Sequence, residues 1–158
     1  MMKVRDVMTK RAVCCSREMN IGQAVELLWM HNCGVLPVVS AEHKLTGVIT
    51  DRDICIALGT RNRLPGDVTV GEVATPEAFH CQMDDEIHSA MQTMAEHHIR
   101  RLPVIDSRGV PVGVLSMDDV VTHGDLKRWE GGCELFSDEI VRNLKRLYAK
   151  PDLRPHAR

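Results

Sequence analysis

The sequence predicts an α+β fold in which one β-α-β-β-α unit occurs twice, and two observations support this prediction. First, residues 4–54 align with residues 70–120 without a gap, and 14 of the 51 aligned pairs are identical. Second, each copy contains a glycine-led apolar run that ends in a hydroxyl residue, with an aspartate three positions later. A buried strand that turns directly into a helix has this pattern. The chain is therefore interpreted as a tandem duplication.

Each repeat is predicted to contain the same elements in the same order. After a short lead comes an extended segment, and then a helix whose apolar residues recur at helical spacing from Ile21 and from Ile87. Two strands follow, joined by a polar turn, and the last helix begins directly after the second of them. The predicted extended segments and strands are residues 12–15, 36–39 and 47–50 in the first repeat and 78–81, 102–105 and 113–116 in the second.

A proline lies inside the middle strand of each repeat, at Pro37 and Pro103. Proline has no N–H group to donate to a sheet, so it is found at edge strands or at strand starts. We therefore expect these prolines at an edge strand or at a strand start, where a neighbouring carbonyl group stays free for a ligand.

The domain boundaries follow from the extent of the repeat. Repeat 1 is expected over residues 3–58, a linker with Pro and Gly over 59–69, and repeat 2 over 70–123. The remaining residues, 124–158, form a different segment. In this segment apolar residues at three- and four-residue spacing after Ser137 predict an amphipathic helix over about 136–150.

Composition excludes several classes of function. The formal net charge is −2 and aromatic residues make up 3% of the chain, which favours neither a nucleic-acid partner nor a membrane partner. No run of 18 apolar residues occurs and the first residues lack the apolar stretch of a signal peptide, so a cytoplasmic location is expected.

The hydroxyl and carboxylate side chains at the two strand-to-helix turns are the candidate site. They are Thr50 with Asp53 and Ser116 with Asp119. The N-terminus of a helix attracts a phosphate, and a carboxylate can accept two hydrogen bonds from the vicinal hydroxyls of a ribose. The alternative is that Thr50 and Ser116 are ordinary helix N-caps followed by an acidic residue in the first turn.

On these residues the chain resembles the CBS-domain family, specifically a tandem pair of the stand-alone bacterial type, called a Bateman module. The resemblance covers residues 3–123 and depends on the duplicated order of elements, the Leu-Pro-Val strands at Leu36 and Leu102 and the two Gly-x-x-Thr/Ser-x-x-Asp motifs. It implies two repeats packed with approximate twofold symmetry around two clefts. The ligands it implies are AMP, ADP, ATP or S-adenosylmethionine, and no further cofactor is required.

The resemblance also assigns roles to residues. Asp53 and Asp119 are expected to hold ribose hydroxyls, while Thr50 and Ser116 are expected to contact phosphate. Adenine is expected against the first extended segment and the Leu-Pro strand of a repeat. The positions that match are Val13 to Cys15 with Leu36, and Phe79 to Cys81 with Leu102.

Arginines near the second middle strand make the two repeats unequal. Arg100 and Arg101 are candidates for a phosphate contact because a guanidinium suits that role, and strand alternation predicts that only one of them reaches the Asp119 cleft. The first repeat has Gly34 and Val35 at these positions, and Arg52 is its candidate cation. We therefore expect the Asp119 cleft to be the better nucleotide site. The alternative is that Arg100 and Arg101 are solvated residues near a helix C-terminus, where the helix dipole favours positive charge.

No catalytic constellation is found, so the chain is predicted not to be an enzyme. A metal- or redox-responsive module is a further alternative, because cysteine and histidine side chains suit zinc and could approach one another. Their spacing fits no zinc-binding motif, and no metal ligand is assigned. The candidate residues are Cys14, Cys15, His80, Cys81, His97 and His98.

Extra apolar residues on the first helix of repeat 1 predict an interface. Leu27 and Met30 are apolar, whereas their counterparts Thr93 and Glu96 are polar. The family resemblance then implies a homodimer through helices near residues 21–32 and 51–58 and their counterparts. A regulated partner must be a separate, unidentified chain. The remaining alternative is a dimeric, stress-associated scaffold that binds no ligand.

Overall fold

The structure is a computed structural model and describes residues 2–124 and 137–149. Fifteen named helices and strands occur in these ranges, together with a 3₁₀ turn at Pro65–Asp67. The helices are α1 (Val4–Val7), α2 (Ile21–Met30), α3 (Asp51–Arg61), α4 (Val70–Val73), α5 (Ile87–His97), α6 (Met117–Gly124) and α7 (Ser137–Tyr148). The strands are β1 (Thr9–Lys10), β2 (Cys15–Ser16), β3 (Val35–Val39), β4 (Leu45–Thr50), β5 (Thr75–Pro76), β6 (Cys81–Gln82), β7 (Arg101–Ile105) and β8 (Pro111–Ser116).

The strands form two four-stranded sheets of the same design, which confirms the α+β class and the duplication. One sheet has the order β2-β3-β4-β5 and the other has the order β1-β8-β7-β6. Each sheet contains one strand from the neighbouring repeat. β1 pairs antiparallel with β8 of repeat 2, and β5, which opens repeat 2, pairs antiparallel with β4 of repeat 1. The repeats are therefore joined by exchanged edge strands.

Glycine makes this exchange possible. A Cβ atom at Gly47 would lie 2.5 Å from the Thr75 carbonyl oxygen, and one at Gly113 would lie 2.6 Å from the Thr9 carbonyl oxygen. Real Cβ atoms do not approach backbone oxygen so closely. The glycine that opens each strand motif therefore allows the strand from the other repeat to approach.

The hydrophobic cores follow the same exchange. Val4 and Val7 of α1 are buried among residues of repeat 2, while Val68 and Val70 are buried among residues of repeat 1. The lead segment of each repeat thus completes the core of the other. Burying apolar side chains in both directions stabilises the pair as a unit.

The expected edge position of the proline strands is wrong. β3 and β7 each have a neighbour on both sides. Proline is tolerated there because β2 and β6 are only two residues long. β2 pairs with Val38 and Val39, so it begins just beyond Pro37, and β6 begins in the same way just beyond Pro103.

The first extended segments differ from the prediction in their bounds. Regular strand begins only at Cys15 and Cys81, and the residues before them line cavities, as described below. The leads of the repeats also contain structure, since each forms a one-turn helix and a two-residue strand. Helix α3 continues to Arg61, inside the region expected to be the linker.

The C-terminal amphipathic helix is α7, and it packs on repeat 2. Ile140 and Leu147 are buried in the same core as Met91 and Met94 of α5. Polar contacts at both ends hold it there: His88 Nε2 lies 2.9 Å from Glu139 Oε2, and His98 Nδ1 lies 3.2 Å from the Leu147 carbonyl oxygen. Residues 125–136 and 150–158, which include parts of the predicted helix, lie outside the described residues. In the described part, no helix is both long enough and apolar enough to cross a membrane.

Candidate functional site

The two strand-to-helix turns have nearly identical geometry. Thr50 Oγ1 donates to Asp53 Oδ2 at 2.6 Å, and the Thr50 N–H donates to the same oxygen at 2.9 Å. Ser116 and Asp119 make the same two bonds, at 2.6 and 2.8 Å. The N–H groups of Asp53 and Asp119 donate back to the Thr50 and Ser116 hydroxyls, at 3.2 and 3.1 Å, so both pairs are capping boxes, as the N-cap alternative describes. The capping bonds engage Oδ2 of each carboxylate. Oδ1 of Asp119 accepts a hydrogen bond from Thr9 Oγ1, and because a carboxylate oxygen accepts more than one bond, Oδ1 of either aspartate can serve a further partner.

Each aspartate also lines a cavity. The Asp119 cavity has a volume of about 350 Å³ and the Asp53 cavity about 420 Å³, within the usual range for small-molecule sites. The Asp119 cavity includes Thr9, Arg11, Val13, His31, Gly34, Val35, Arg101, Ser116 and Asp119 in its lining. The Asp53 cavity includes Val35, Thr50, Arg52, Asp53, Thr75, Phe79, His98, Arg100 and Arg101.

Both repeats contribute to each cavity. Val13, from repeat 1, lies with Ser116 and Asp119, whereas Phe79, from repeat 2, lies with Thr50 and Asp53. The exchanged strands explain this grouping. Because β1 pairs with β8, the residues that follow β1 lie against repeat 2, and because β5 pairs with β4, the residues that follow β5 lie against repeat 1. The family resemblance grouped the candidate adenine contacts within a single repeat. In the structure each aspartate instead shares its cavity with an extended-segment residue of the other repeat.

Four of the candidate residues lie away from the cavities. Leu36 and Leu102 are fully buried, and Cys15 and Cys81 are buried beside them in the two cores. In the described part of the chain these side chains line neither cavity. Successive strand side chains point to opposite faces, so the leucines point to the core while their neighbours Val35 and Arg101 reach the cavities.

The arginines are distributed differently from the expectation. Arg100 and Arg52 both line the Asp53 cavity, and Arg101 lines both cavities. Of the pair Arg100 and Arg101, only Arg101 lines the Asp119 cavity, as the strand alternation predicts, but both of them line the Asp53 cavity, which was not expected. The reason for ranking the Asp119 cleft first also disappears, because each cavity has at least two arginines in its lining, with Arg11 adding to the Asp119 cavity.

Several cavity residues were missed by the sequence analysis. Thr9 Oγ1 donates to Asp119 Oδ1 at 3.2 Å, and Thr75 occupies the matching position in the lining of the Asp53 cavity. Their identity at an offset of 66 residues was a usable signal. Arg11 and the shared wall residue Val35 gave no comparable signal, since neither belongs to a repeated polar motif.

An aromatic side chain distinguishes the Asp53 cavity. The Phe79 ring stacks on the His97 ring, with centroids 3.7 Å apart and an interplanar angle of 18°, and Phe79 remains 49% exposed. Its counterpart in the Asp119 cavity is the smaller Val13. An aromatic wall gives a planar base more contact area than valine does.

The buried cysteines Cys15 and Cys81 show no feature of a reactive site. Burial raises the pKa of Cys15 to about 12, and it raises the pKa of Cys81 to about 12. A thiol with so high a pKa holds little of the thiolate form that reacts or binds metal. Residues 2–124 and 137–149 contain no group of three His, Cys, Asp or Glu side chains arranged to hold a metal ion.

The duplicated fold and its two crossed cavities define a tandem module of two α+β repeats. A model of the CBS domain family matches residues 4–60 and again residues 70–125, so the chain belongs to the CBS domain family and carries a tandem pair. A curated relative is the CBS domain-containing protein YhcV of Bacillus subtilis (strain 168). It is 34% identical over 123 residues, which are 78% of this chain and 86% of that protein.

Solved structures of similar CBS pairs contain bound ligands. The CBS domain pair of protein MJ0100, in complex with 5-methylthioadenosine and S-adenosyl-L-methionine, has a TM-score of 0.73 and 26% identity, covering 81% of this chain and 99% of that one. CBSX2 in complex with AMP has a TM-score of 0.70 and 27% identity, covering 81% and 100%. Hypoxic Response Protein I, with two coordinated zinc ions, has a TM-score of 0.70 and 29% identity, covering 77% and 98%.

Proposed function

We propose that this chain is a regulatory module, without catalytic activity, that binds an adenine nucleotide or S-adenosylmethionine in its two cavities. The observation that carries the proposal is that each cavity combines a fixed aspartate at a helix N-terminus with arginine side chains. AMP and S-adenosylmethionine, which similar CBS pairs hold, carry the adenosine group that such a cavity suits. The proposed ligand set is AMP, ADP, ATP or S-adenosylmethionine.

Each group in a cavity has a defined task in this proposal. The second carboxylate oxygen of Asp53 or Asp119 accepts hydrogen bonds from the ribose hydroxyls. Thr50 or Ser116 and the N-terminus of the following helix face the phosphate, where the helix dipole is positive. Phe79 or Val13 packs against the base. Arginine side chains neutralise the phosphate charge.

A bound nucleotide would signal by bridging the repeats. Since each cavity is lined from both repeats, a ligand contacts both at once and favours the arrangement in which its contacts are best. A ligand shifts a conformational equilibrium only through its different affinities for the two states. The shifted arrangement is then read by a separate regulated protein. We place the module in the cytoplasm, where free thiols persist.

A thermal-shift panel tests the proposal. We expect AMP, ADP, ATP or S-adenosylmethionine at about 100 times its Kd to stabilise the native state by about 2.7 kcal/mol for each cavity it fills. For a chain of this size each kcal/mol raises Tm by about 2–4 °C. Cytidine monophosphate is the control for the ribose and phosphate without adenine, since it differs from AMP only in its base. An unchanged Tm with every adenine compound at millimolar concentration would contradict the proposal.

We further propose a homodimer through the helical face of repeat 1. Trp29 is 85% exposed and lines an apolar groove with Val25, Leu28 and Leu58, among others, and its chain neighbour Met30 is 71% exposed. The equivalent face of repeat 2 is covered by α7. Apolar surface of this extent marks an interface, and this observation also favours the second candidate function, a dimeric scaffold that needs no ligand.

Replacing Trp29 with serine tests the dimer. Buried aromatic side chains dominate the binding free energy of interfaces, and removing one costs about 2 kcal/mol or more. We therefore expect the dimer Kd to rise at least about 30-fold, measured by analytical ultracentrifugation. Leu64→Ser is the matched control, because Leu64 is 71% exposed but lies outside the groove. A wild-type monomer at micromolar concentration would refute the dimer and the scaffold function together.

A further inference from the structure

We propose that Arg101 couples the two cavities, so that a phosphate-bearing ligand in one cavity weakens the binding of a second in the other. This inference rests on the proposed function and adds its regulation. The two cavities adjoin, because Val35 and Arg101 line both of them. Val35 contributes only an apolar wall, whereas Arg101 contributes a guanidinium group.

The position of Arg101 follows from strand pairing. Arg101 opens β7 and pairs with Ser116 of β8, so its backbone is fixed beside the capping box of the Asp119 cavity. Its side chain extends across to repeat 1, where the guanidinium lies over Gly34. A Cβ atom at Gly34 would be only 3.1–3.2 Å from the guanidinium atoms. Glycine at this position therefore provides the space that the guanidinium occupies.

Each of the other arginines in these two linings belongs to one cavity only. Arg52 and Arg100 line the Asp53 cavity, and Arg11 lines the Asp119 cavity. A guanidinium binds a phosphate best through two parallel hydrogen bonds. Arg101 cannot form these two hydrogen bonds to phosphates in both cavities at once. The two phosphates are also negatively charged, so they repel each other across the adjoining cavities.

Calorimetric titration with AMP measures the coupling. Asp53→Ala and Asp119→Ala each leave one working cavity, so they supply two single-site Kd values. Coupling makes the product of the two stepwise Kd values of the wild type larger than the product of these single-site values. We expect a factor of about 5 or more, the lower end of typical allosteric coupling. Adenosine, which has no phosphate, should give a factor near 1.

Arg101→Gln should bring the factor for AMP to near 1 and weaken AMP binding in both single-site backgrounds. Arg100→Gln is the matched control, because Arg100 lines only the Asp53 cavity. It should weaken that cavity alone and keep the coupling. Gly34→Ala provides a second test that leaves the arginine in place. The added methyl group displaces the Arg101 guanidinium from its position over residue 34. Because Gly34 lines the Asp119 cavity and not the Asp53 cavity, AMP binding should weaken in the Asp119 cavity only.

The outcomes separate the two proposals. A factor near 1 in the wild type, or a factor that persists in Arg101→Gln, overturns the coupling while the proposed function stands. Failure of the wild type to bind AMP, ADP, ATP and S-adenosylmethionine overturns the proposed function, and the coupling fails with it. Binding of S-adenosylmethionine alone, which carries no phosphate, overturns the coupling while the proposed function stands.

Discussion

Replacing Gly113 with alanine will destabilise the protein by about 1–3 kcal/mol, the usual cost of overpacking. The added Cβ would lie 2.6 Å from the Thr9 carbonyl oxygen and 2.9 Å from the Met8 sulfur. Because the Thr9 carbonyl group belongs to the backbone of β1, the strand itself must move. We expect Tm to fall by about 2–4 °C for each kcal/mol lost, measured by calorimetry.

The same substitution should also weaken one cavity. β1 carries Thr9, whose hydroxyl donates to Asp119, so displacing the strand disturbs the Asp119 cavity and leaves the Asp53 cavity intact. Gly47→Ala should do the reverse, because its Cβ would lie 2.5 Å from the Thr75 carbonyl oxygen in the Asp53 cavity.

Gly59 offers the matched control for these substitutions. It is exposed in α3, and apart from its chain neighbours and the backbone of its own helix no described atom lies within 4 Å of a Cβ built there. Gly59→Ala should stabilise the helix by about 0.5–1 kcal/mol, since alanine loses less conformational entropy on folding. An unchanged Tm and unchanged binding in Gly113→Ala would show that β1 does not pair as the structure describes.

Asp119→Ala and Asp53→Ala should each remove one binding site for AMP. Hydrogen bonds to a charged group contribute about 1.5–3 kcal/mol, so the loss in affinity at the altered cavity is about 10- to 150-fold. Because arginines line both cavities, we expect losses of similar size. Calorimetric titration should show the stoichiometry fall from two sites to one.

The capping role of these aspartates requires a separate control. Each substitution also breaks a capping box, which costs about 0.5–2 kcal/mol of stability. Glu72 accepts hydrogen bonds from the N–H and hydroxyl groups of Thr69 in the same way, outside both cavities. Glu72→Ala should therefore lower Tm and keep AMP affinity. If Asp119→Ala and Asp53→Ala both retain two sites of wild-type affinity, neither carboxylate holds the ribose.

Local patterns in the sequence were sufficient for much of the fold. The spacing from Ile21 and Ile87 predicted α2 and α5, and the glycine-led motifs predicted β4 with α3 and β8 with α6. Helical and strand periodicities report burial of one face, so they can be read without knowing the packing. The capping boxes were also predictable, because their residues are three positions apart in the chain.

The sequence by itself therefore determined the duplication, the order of elements and the two carboxylate turns. Only the tertiary structure decided which residues share a cavity. It places Val13 with Asp119 and Phe79 with Asp53, and it brings Arg101 into the lining of both cavities. The physical reason is that β1 and β5 are two residues long and carry no periodicity of their own. The sheet they join is set by backbone pairing with a distant strand, at a glycine that leaves room for it.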